Sequence, residues 1–361
     1  MHPMKTFGIS NRRYLGGKAH MLDLIAQVVH EHTHGCKSFA DLFAGTGVVA
    51  HHFNPKFDIM VNDLLACNHH AYVCFFSNLP YDRGLILHLL EHYNHATDLA
   101  DNYYSQTFAN TYLSTQNLQK VGFMRDDLDR KLKEKEINER EYSILLTSLL
   151  YAIDRIANTV GHYDAYRKNG ELDMSLELRM PLICDTHNTH NQIFNMDTNT
   201  LAKCLVADIV YLDPPYNSRQ YANAYHFLEN IARNTKPPVF GSAGKMDLRA
   251  LRSQYCLKDA KVHFKELINS LQARYILFSY NNTHSANPRS NTKISDADIL
   301  EILGQKGVVS VFGKDCTPFS AGKSAIANHQ ERLFLCAVHP HKLKASLKNP
   351  QAKAALDPIT P

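Results

Sequence analysis

The sequence predicts an α/β protein, an open and mainly parallel sheet flanked by helices and interrupted by a helical insertion. Three observations point there. The apolar run Leu205–Leu212 (LVADIVYL) has the length and branching of a buried parallel strand and stops sharply at Pro214-Pro215. Ser38–Leu42 (SFADL) leads through the loop Phe43-Ala44-Gly45-Thr46-Gly47 into an apolar segment, Val48–Ala50, giving the strand, glycine loop and helix of a nucleotide-type site. Near the end, Gly307–Phe312 (GVVSVF) and Arg332–His339 (RLFLCAVH) read as a terminal hairpin.

Composition sets bounds. A chain of 361 residues, 44% hydrophobic and 20% charged, holds a sizeable core in one large domain with an insertion or in two domains. The net charge of +4, with 21 histidines, permits a polyanionic partner without requiring one. Eight scattered cysteines include no C-x-x-C pair, so they read as thiols in a reducing compartment, not as a disulfide frame or a zinc site. The alternating and paired histidines have no carboxylate or cysteine at metal-site spacing, and no metal is expected. No signal peptide is recognisable, nor any apolar run near the roughly 18 residues of a membrane span, so an intracellular protein away from membranes is expected.

In chain order, Arg12-Arg13-Tyr14-Leu15-Gly16-Gly17-Lys18 comes first, followed by apolar residues at helical spacing from Met21 to Val29. Its glycines let backbone approach a ligand, Tyr14 offers a ring, and Lys18 opens a helix where its charged head can reach a cofactor carboxylate. After the glycine loop, Phe57–Val61 is the next strand and ends at Asn62-Asp63. Asp63 sits where an acidic residue takes ribose hydroxyls, and it is equally placed to cap a helix over 64–76. The loop falls short of a dinucleotide fingerprint because Ala50 stands at the third glycine, a position that tolerates alanine, and no Gly-Lys-Ser/Thr makes a Walker loop.

From about 79 to 195 the strand and helix alternation lapses. A helix is expected over Leu85–Tyr93, then a charged face or loop over Asp126–Glu141, then a strong helix opened by an Asn138/Glu141 capping box and carrying Ile144, Leu145, Leu149, Ile153 and Ile156. The polar, aromatic and basic segment Ala157–Lys168 follows, able to lie against nucleic acid although most such segments are plain surface. The sheet resumes at Ile193–Asp197, whose terminal Asp197 is placed for a cofactor amine or a surface cap. Later come Arg274–Tyr280 as a strand, Ala297–Leu303 as a helix, and a polar stretch, Gly313–Glu331, expected to be mobile and able to reach a duplex. The boundaries expected are 1–79 for a cofactor-binding half, 80–195 for a helical target-recognition insertion, 196–340 for a catalytic half and 341–361 for a tail.

Asp213-Pro214-Pro215-Tyr216 carries the chemistry. A carboxylate at a strand's C-terminal tip sits where open α/β sheets bind ligands, and two prolines remove N–H donors while leaving carbonyl acceptors. Such an acceptor-rich mouth suits an exocyclic base amine, whose lone pair is delocalised until both N–H bonds are held. Asp213 and the Pro214 carbonyl are placed as acceptors, with Tyr216 as a stacking ring for a base taken out of a duplex.

Together, Tyr14-Leu15-Gly16-Gly17-Lys18, Phe43-Ala44-Gly45-Thr46-Gly47, Asp63 and Asp213-Pro214-Pro215-Tyr216 resemble the D12 class of S-adenosylmethionine-dependent DNA adenine-N6 methyltransferases, in the motif order of its alpha group. The extension Asn217–Tyr221 with Tyr225–Glu229, and Ala157–Gly161, are similar to methyltransferases of type II and type IIS restriction systems. The resemblance implies a Rossmann-like methyltransferase fold with a mixed seven-stranded sheet and a terminal antiparallel hairpin. It also implies S-adenosyl-L-methionine without a metal, held by Tyr14, Lys18, Phe43, Gly45, Gly47, Asp63, Asp197 and Asp213. Asp213, Pro214, Pro215 and Tyr216 would then hold the adenine. Arg155, Arg167, Lys168 and Arg219 are the basic candidates for double-stranded DNA. The implied setting is a prokaryotic cytoplasm, with a cognate restriction endonuclease acting separately. Tyr14 stands where the family more often has tryptophan. Cytosine N4 is the alternative amine, though Asp before Pro-Pro-Tyr favours adenine, and glutamine methylation is disfavoured because that motif begins with Asn. An NAD-dependent oxidoreductase and a DNA-binding module without catalysis are the readings from other classes.

Overall fold

The structure, a computed structural model, describes residues 4–281, 293–315 and 330–344. Most of the Gly313–Glu331 stretch and of the C-terminal tail lie outside them. Its strands are β1 (Thr6–Phe7), β2 (Ser38–Asp41), β3 (Asp58–Asn62), β4 (Met180–Pro181), β5 (Gln192–Phe194), β6 (Val206–Leu212), β7 (Gln272–Asn281), β8 (Gly307–Asp315) and β9 (Gln330–Val338). Seven form one sheet in the order β5-β3-β2-β6-β7-β9-β8. The pairs from β5 to β7 are parallel and β9 is antiparallel to both neighbours, so the terminal hairpin is inserted with β9 inside and β8 at the edge. This is the expected mixed seven-stranded α/β sheet of a methyltransferase fold. The short β1 and β4, which the sequence did not announce, pair in parallel as a separate ribbon.

The helices are α1 (Leu22–His32), α2 (Val48–Phe53), α3 (Ala66–Phe76), α4 (Arg83–His95), α5 (Tyr103–Phe108), α6 (Thr115–Lys133), α7 (Glu139–Ile156), α8 (Thr198–Leu201), α9 (Tyr221–Ala224), α10 (His226–Arg233), α11 (Ala260–Ser270), α12 (Asp296–Gly304) and α13 (Pro340–Lys344). Asn138 caps α7 through the backbone N–H groups of Arg140 and Glu141, while Glu141 reaches back to the Asn138 N–H, the capping box anticipated from sequence. Helix α6 continues to Lys133, so the charged run is its solvated end, where Arg130 pairs with Asp127, Glu134 and Glu136. Helix α11 was not anticipated; it buries Phe264, Leu267 and Ile268 on the β6–β7 face of the sheet.

Two cores lie on the two faces of the sheet. One joins Phe39, Ile59, Val61 and Ile209 to α3, α7 and α10, so helices α4–α7, between β3 and β5 in the chain, share a continuous apolar interior with the sheet. The other gathers Val210, Leu212, Ile276, Phe278 and Phe334 against α11 and α12. Alternation along β6 sends Ile209 and Tyr211 to the first core and Val210 and Leu212 to the second, as a centrally placed strand requires. Among the described residues no helix is long and apolar enough to cross a membrane.

Candidate active site

The parallel strands β2, β3 and β6 lie side by side and end at the same edge. Each delivers a carboxylate there: Asp41 is the last residue of β2, Asp63 follows β3 and Asp213 follows β6. Together they line a cleft with Tyr14, Lys18, Phe43, Gly45, Asp197 and Pro215. Of the expected catalytic and cofactor residues, Gly47, Pro214 and Tyr216 are not among those that line it.

Gly45 and Gly47 show why the loop needs glycine. Gly45 has φ +53°, and a Cβ on it would stand 2.8 Å from the Tyr14 ring; Gly47 has φ +78° and is pressed against Tyr72 and Ile9. Tyr14 thus lies on the glycine loop, its other neighbours being Tyr225, with ring centroids 4.6 Å apart and planes 3° apart, and Tyr221 at 5.4 Å. The Arg12 guanidinium sits over Tyr14 and Tyr225. Two hydrogen bonds hold the turn to α9 and the residue after it: the Leu15 N–H donates to Tyr225 Oη at 2.6 Å, and Tyr221 Oη donates to the Leu15 carbonyl at 3.2 Å.

Asp63 accepts from the Leu65 N–H at 2.8 Å with one oxygen and from the Gly45 N–H at 3.0 Å with the other. This explains why α3 begins at Ala66 and not at Leu64. Burial pushes the Asp63 carboxyl up to about 6, against the pull of the Leu65 N–H, Asn68 and the Gly45 N–H. Asp197 faces the cleft and also caps α8 through the Thr200 N–H, so both expected roles are compatible. Strand β5 stops at Phe194 because the Met196 N–H turns to Asn62 Oδ1 and Asn195 Nδ2 donates to the Asp63 carbonyl.

Asp213 faces Lys18, whose Nζ lies 3.2 Å from Asp213 Oδ1 and 3.6 Å from Glu331 Oε2. Lys18 was expected to reach a cofactor carboxylate; its partners here are the protein's own. Burial opposes the Lys18 ammonium, yet the two carboxylates raise its pKa above the usual range. Burial also lifts the Asp213 carboxyl to about 6 despite Lys18, with Glu331 adding to the rise. Asp213 Oδ1, though close to Lys18, makes no hydrogen bond of good geometry, and neither oxygen of the buried Asp41 does so either. Burial and then the nearby Asp213 push the Asp41 carboxyl well above the carboxylate range. Tyr216 meets Tyr280 edge to face, with Lys18 Nζ 5.7 Å from the Tyr216 ring centre.

Sequence reasoning missed Asp41, read only as part of a strand although it is an acidic residue at a tip, and it missed Glu331. It also missed the cleft wall formed by Leu251, Ser253, Gln254 and Tyr255, tied to the loop after Pro214-Pro215 through the Ser253 N–H, which donates to Gln220 Oε1, and Gln220 Nε2, which donates to the Ser253 carbonyl. Arg167, Lys168 and Arg219 are exposed, whereas Arg155 is half-buried and donates to the Glu177 carbonyl beside Arg179.

Comparison with known proteins agrees with this geometry. The model of the D12 class N6 adenine-specific DNA methyltransferases matches residues 14–286. The chain is 34% identical over 338 residues to the modification methylase StsI of Streptococcus sanguinis, covering 89% of this chain and 50% of that protein. It is 33% identical over 330 residues to the type II methyltransferase M.FokI of Planomicrobium okeanokoites, covering 86% and 50%. These two relatives are thus matched over about half their length. It is 30% identical over 331 residues to the type II methyltransferase M.NlaIII of Neisseria lactamica, covering 88% of this chain and 95% of that one. With the motifs of residues 14–286 assembled on one sheet edge, the chain belongs to the D12 class of N6 adenine-specific DNA methyltransferases.

Proposed function

We propose that the protein transfers the methyl group of S-adenosyl-L-methionine to the N6 amine of an adenine taken out of a specific double-stranded DNA sequence, as the modification partner of a restriction system. The observation that carries this reading is the convergence of Tyr14, Gly45, Asp63, Asp41 and Asp213 on one cleft at the C-terminal strand edge. The cleft fits the methyl donor chemically. Four acidic side chains line it, Lys18 is committed to Asp213 and Glu331, and the Asp41 oxygens lack good hydrogen bonds, so a ligand carrying positive charge, beside which Asp41 would ionise, is favoured. When bound, S-adenosyl-L-methionine supplies a methyl group on a positively charged sulfur, open to in-line displacement.

Asp63 and Asp197 would meet the ribose and adenine ends of the donor, and Asp41 its cationic part. Asp213, at the mouth, would accept an N6 hydrogen and draw the lone pair out of the ring, with the Pro214 carbonyl as second acceptor and Tyr216 against the base. A carboxyl lifted to about 6 is a better proton acceptor than an ordinary one, and Lys18 holds it ionised at neutral pH. Target recognition would fall to residues 80–195, with Arg155, Arg167, Lys168 and Arg219 as DNA contacts. A cytoplasmic location and a separately acting endonuclease complete the reading.

Incubation with labelled S-adenosyl-L-methionine and unmodified bacterial DNA, followed by nucleoside analysis, tests it. N6-methyladenine is expected. N4-methylcytosine would reassign Asp213 to the other amine, and absence of label in DNA would overturn the enzymatic reading.

A further inference from the structure

Phe240 stands apart from every other described aromatic. It is 64% exposed, whereas each other described Phe and Tyr is buried or half-buried. A single exposed apolar side chain is ordinary on a protein surface. What sets Phe240 apart is the rigidity of its mount. The Phe240 and Lys245 backbones exchange two hydrogen bonds of 2.8 and 2.9 Å, closing a tight turn that needs positive φ at Gly241 and Gly244. Gly244 is pressed so closely on Phe108 that a Cβ would stand 2.7 Å from its ring. Tyr112 Oη lies 3.0 Å from the Ala243 carbonyl, Tyr103 Oη donates to the Pro237 carbonyl at 2.6 Å, and Lys245 Nζ pairs with Asp164 at 2.7 Å. The turn is anchored on every side while the ring at its corner is left to solvent.

Its anchors lead back to the cleft. Tyr112 Oη also lies 2.7 Å from the Tyr163 carbonyl, and the Tyr163 N–H donates to the carbonyl of Ala224, the last residue of α9, whose Tyr221 and Ala222 line the cleft. On the turn itself, Lys245 is paired with Asp164, and His162 stands in the field of both and of the exposed Arg219, with the 57% exposed Val160 two residues before His162 in the chain. A rigid apolar corner with cations beside it suits duplex DNA, whose phosphates take the cations and whose base stack admits a ring.

We propose that Phe240 is a wedge that enters the DNA base stack beside the target adenine and holds the duplex open while that base occupies the cleft. The proposal rests on the reading that the substrate is adenine in duplex DNA. A planar side chain replaces the stacking lost by the departing base, and the anchored turn spares the protein the ordering cost that a floppy loop would add.

The experiment uses the full chain and a synthetic duplex carrying the site at which the wild-type protein methylates bacterial DNA. Phe240→Ala should slow single-turnover methylation of a paired target by roughly tenfold or more, the loss expected from one stacking contact. The defect should largely vanish when the target adenine faces an abasic position, because extrusion then costs little. With 2-aminopurine as the target, the fluorescence rise on binding should fall for Phe240→Ala and persist for Phe240→Leu, which keeps an apolar wedge. Equal rates for wild type and Phe240→Ala on the paired target, or an equal loss on both substrates, would overturn the assignment while leaving the functional reading intact. A wild-type protein that places no methyl on duplex adenine would overturn both.

Discussion

Asp63 and Asp213 are both half-buried carboxyls at the tips of parallel strands, and both are lifted to about 6, yet they are held in opposite ways. Asp63 spends both oxygens on backbone donors, Gly45 and Leu65, so it joins the glycine loop to the start of α3 before any ligand arrives. Asp213 has a lysine beside it, an oxygen without a good hydrogen bond, and a further carboxylate, Glu331, adding to its electrostatic cost, while its own charge helps to keep the neighbouring Asp41 protonated. One is satisfied and shapes the site. The other is left strained, which is the state expected of an acceptor waiting for a group that arrives with the substrate.

The largest effect that would test the contrast is on rate. Asp213→Ala should lower the methyl-transfer rate by about a hundredfold or more while the far-ultraviolet spectrum and donor affinity stay close to wild type. A variant that keeps its rate would break the contrast at once.

Stability should move the other way. A carboxyl with a raised folded-state pKa stabilises the fold only while protonated, so its contribution is fully present below the unfolded value near 4 and lost as pH rises through about 6. Asp213→Asn, which mimics the protonated form, should therefore raise the melting temperature at pH 7.5, with the gain fading toward pH 4. A loss of stability at pH 7.5 would mean that the Lys18 pair outweighs burial. In the wild-type protein, the same titration should give the rate at saturating donor an acid limb near pH 6.

Asp63→Ala should weaken donor binding by about 1.5 to 3 kcal/mol, because a ribose contact is the same in ground and transition states, and should change the rate little at saturating donor. Since Asp63 also fastens Gly45, the melting temperature should fall as well. Unchanged affinity with a lowered melting temperature would leave Asp63 as a fastener of the glycine loop and the turn before α3 alone. Gly45→Ala should follow the same pattern at about 1 to 2 kcal/mol, from the positive φ and the contact with Tyr14. The smallest effect concerns DNA: Lys168→Ala should flatten the salt dependence of binding by about one unit of slope without changing the sequence methylated.

How much of this was legible depends on what each residue's role requires. Strands β2, β3, β6, β7 and β9 fall within about two residues of their expected ends, since an apolar run and a proline or glycine stop are local signals. Asp213 was found because two prolines mark its turn, and Asp63 because it follows a strand at a typical distance from the glycine loop. Asp41 passed unnoticed because a strand-tip acid is ordinary until neighbouring tips are known to lie beside it. Helix α11 was missed because its pattern, four buried apolar positions with lysines and a glutamate between them, is too short to stand out.

The sequence alone determined the main strands of the sheet, the motif order and the family, because turn chemistry, hydrophobic period and glycine placement are written in consecutive residues. Only the tertiary structure decided that Lys18 sits between Asp213 and Glu331, that Tyr14 stacks on Tyr225, and that Phe240 is mounted on Tyr112. Those pairs join residues far apart in the chain. Their meeting depends on strand order and on which face each helix buries, and no local pattern encodes either.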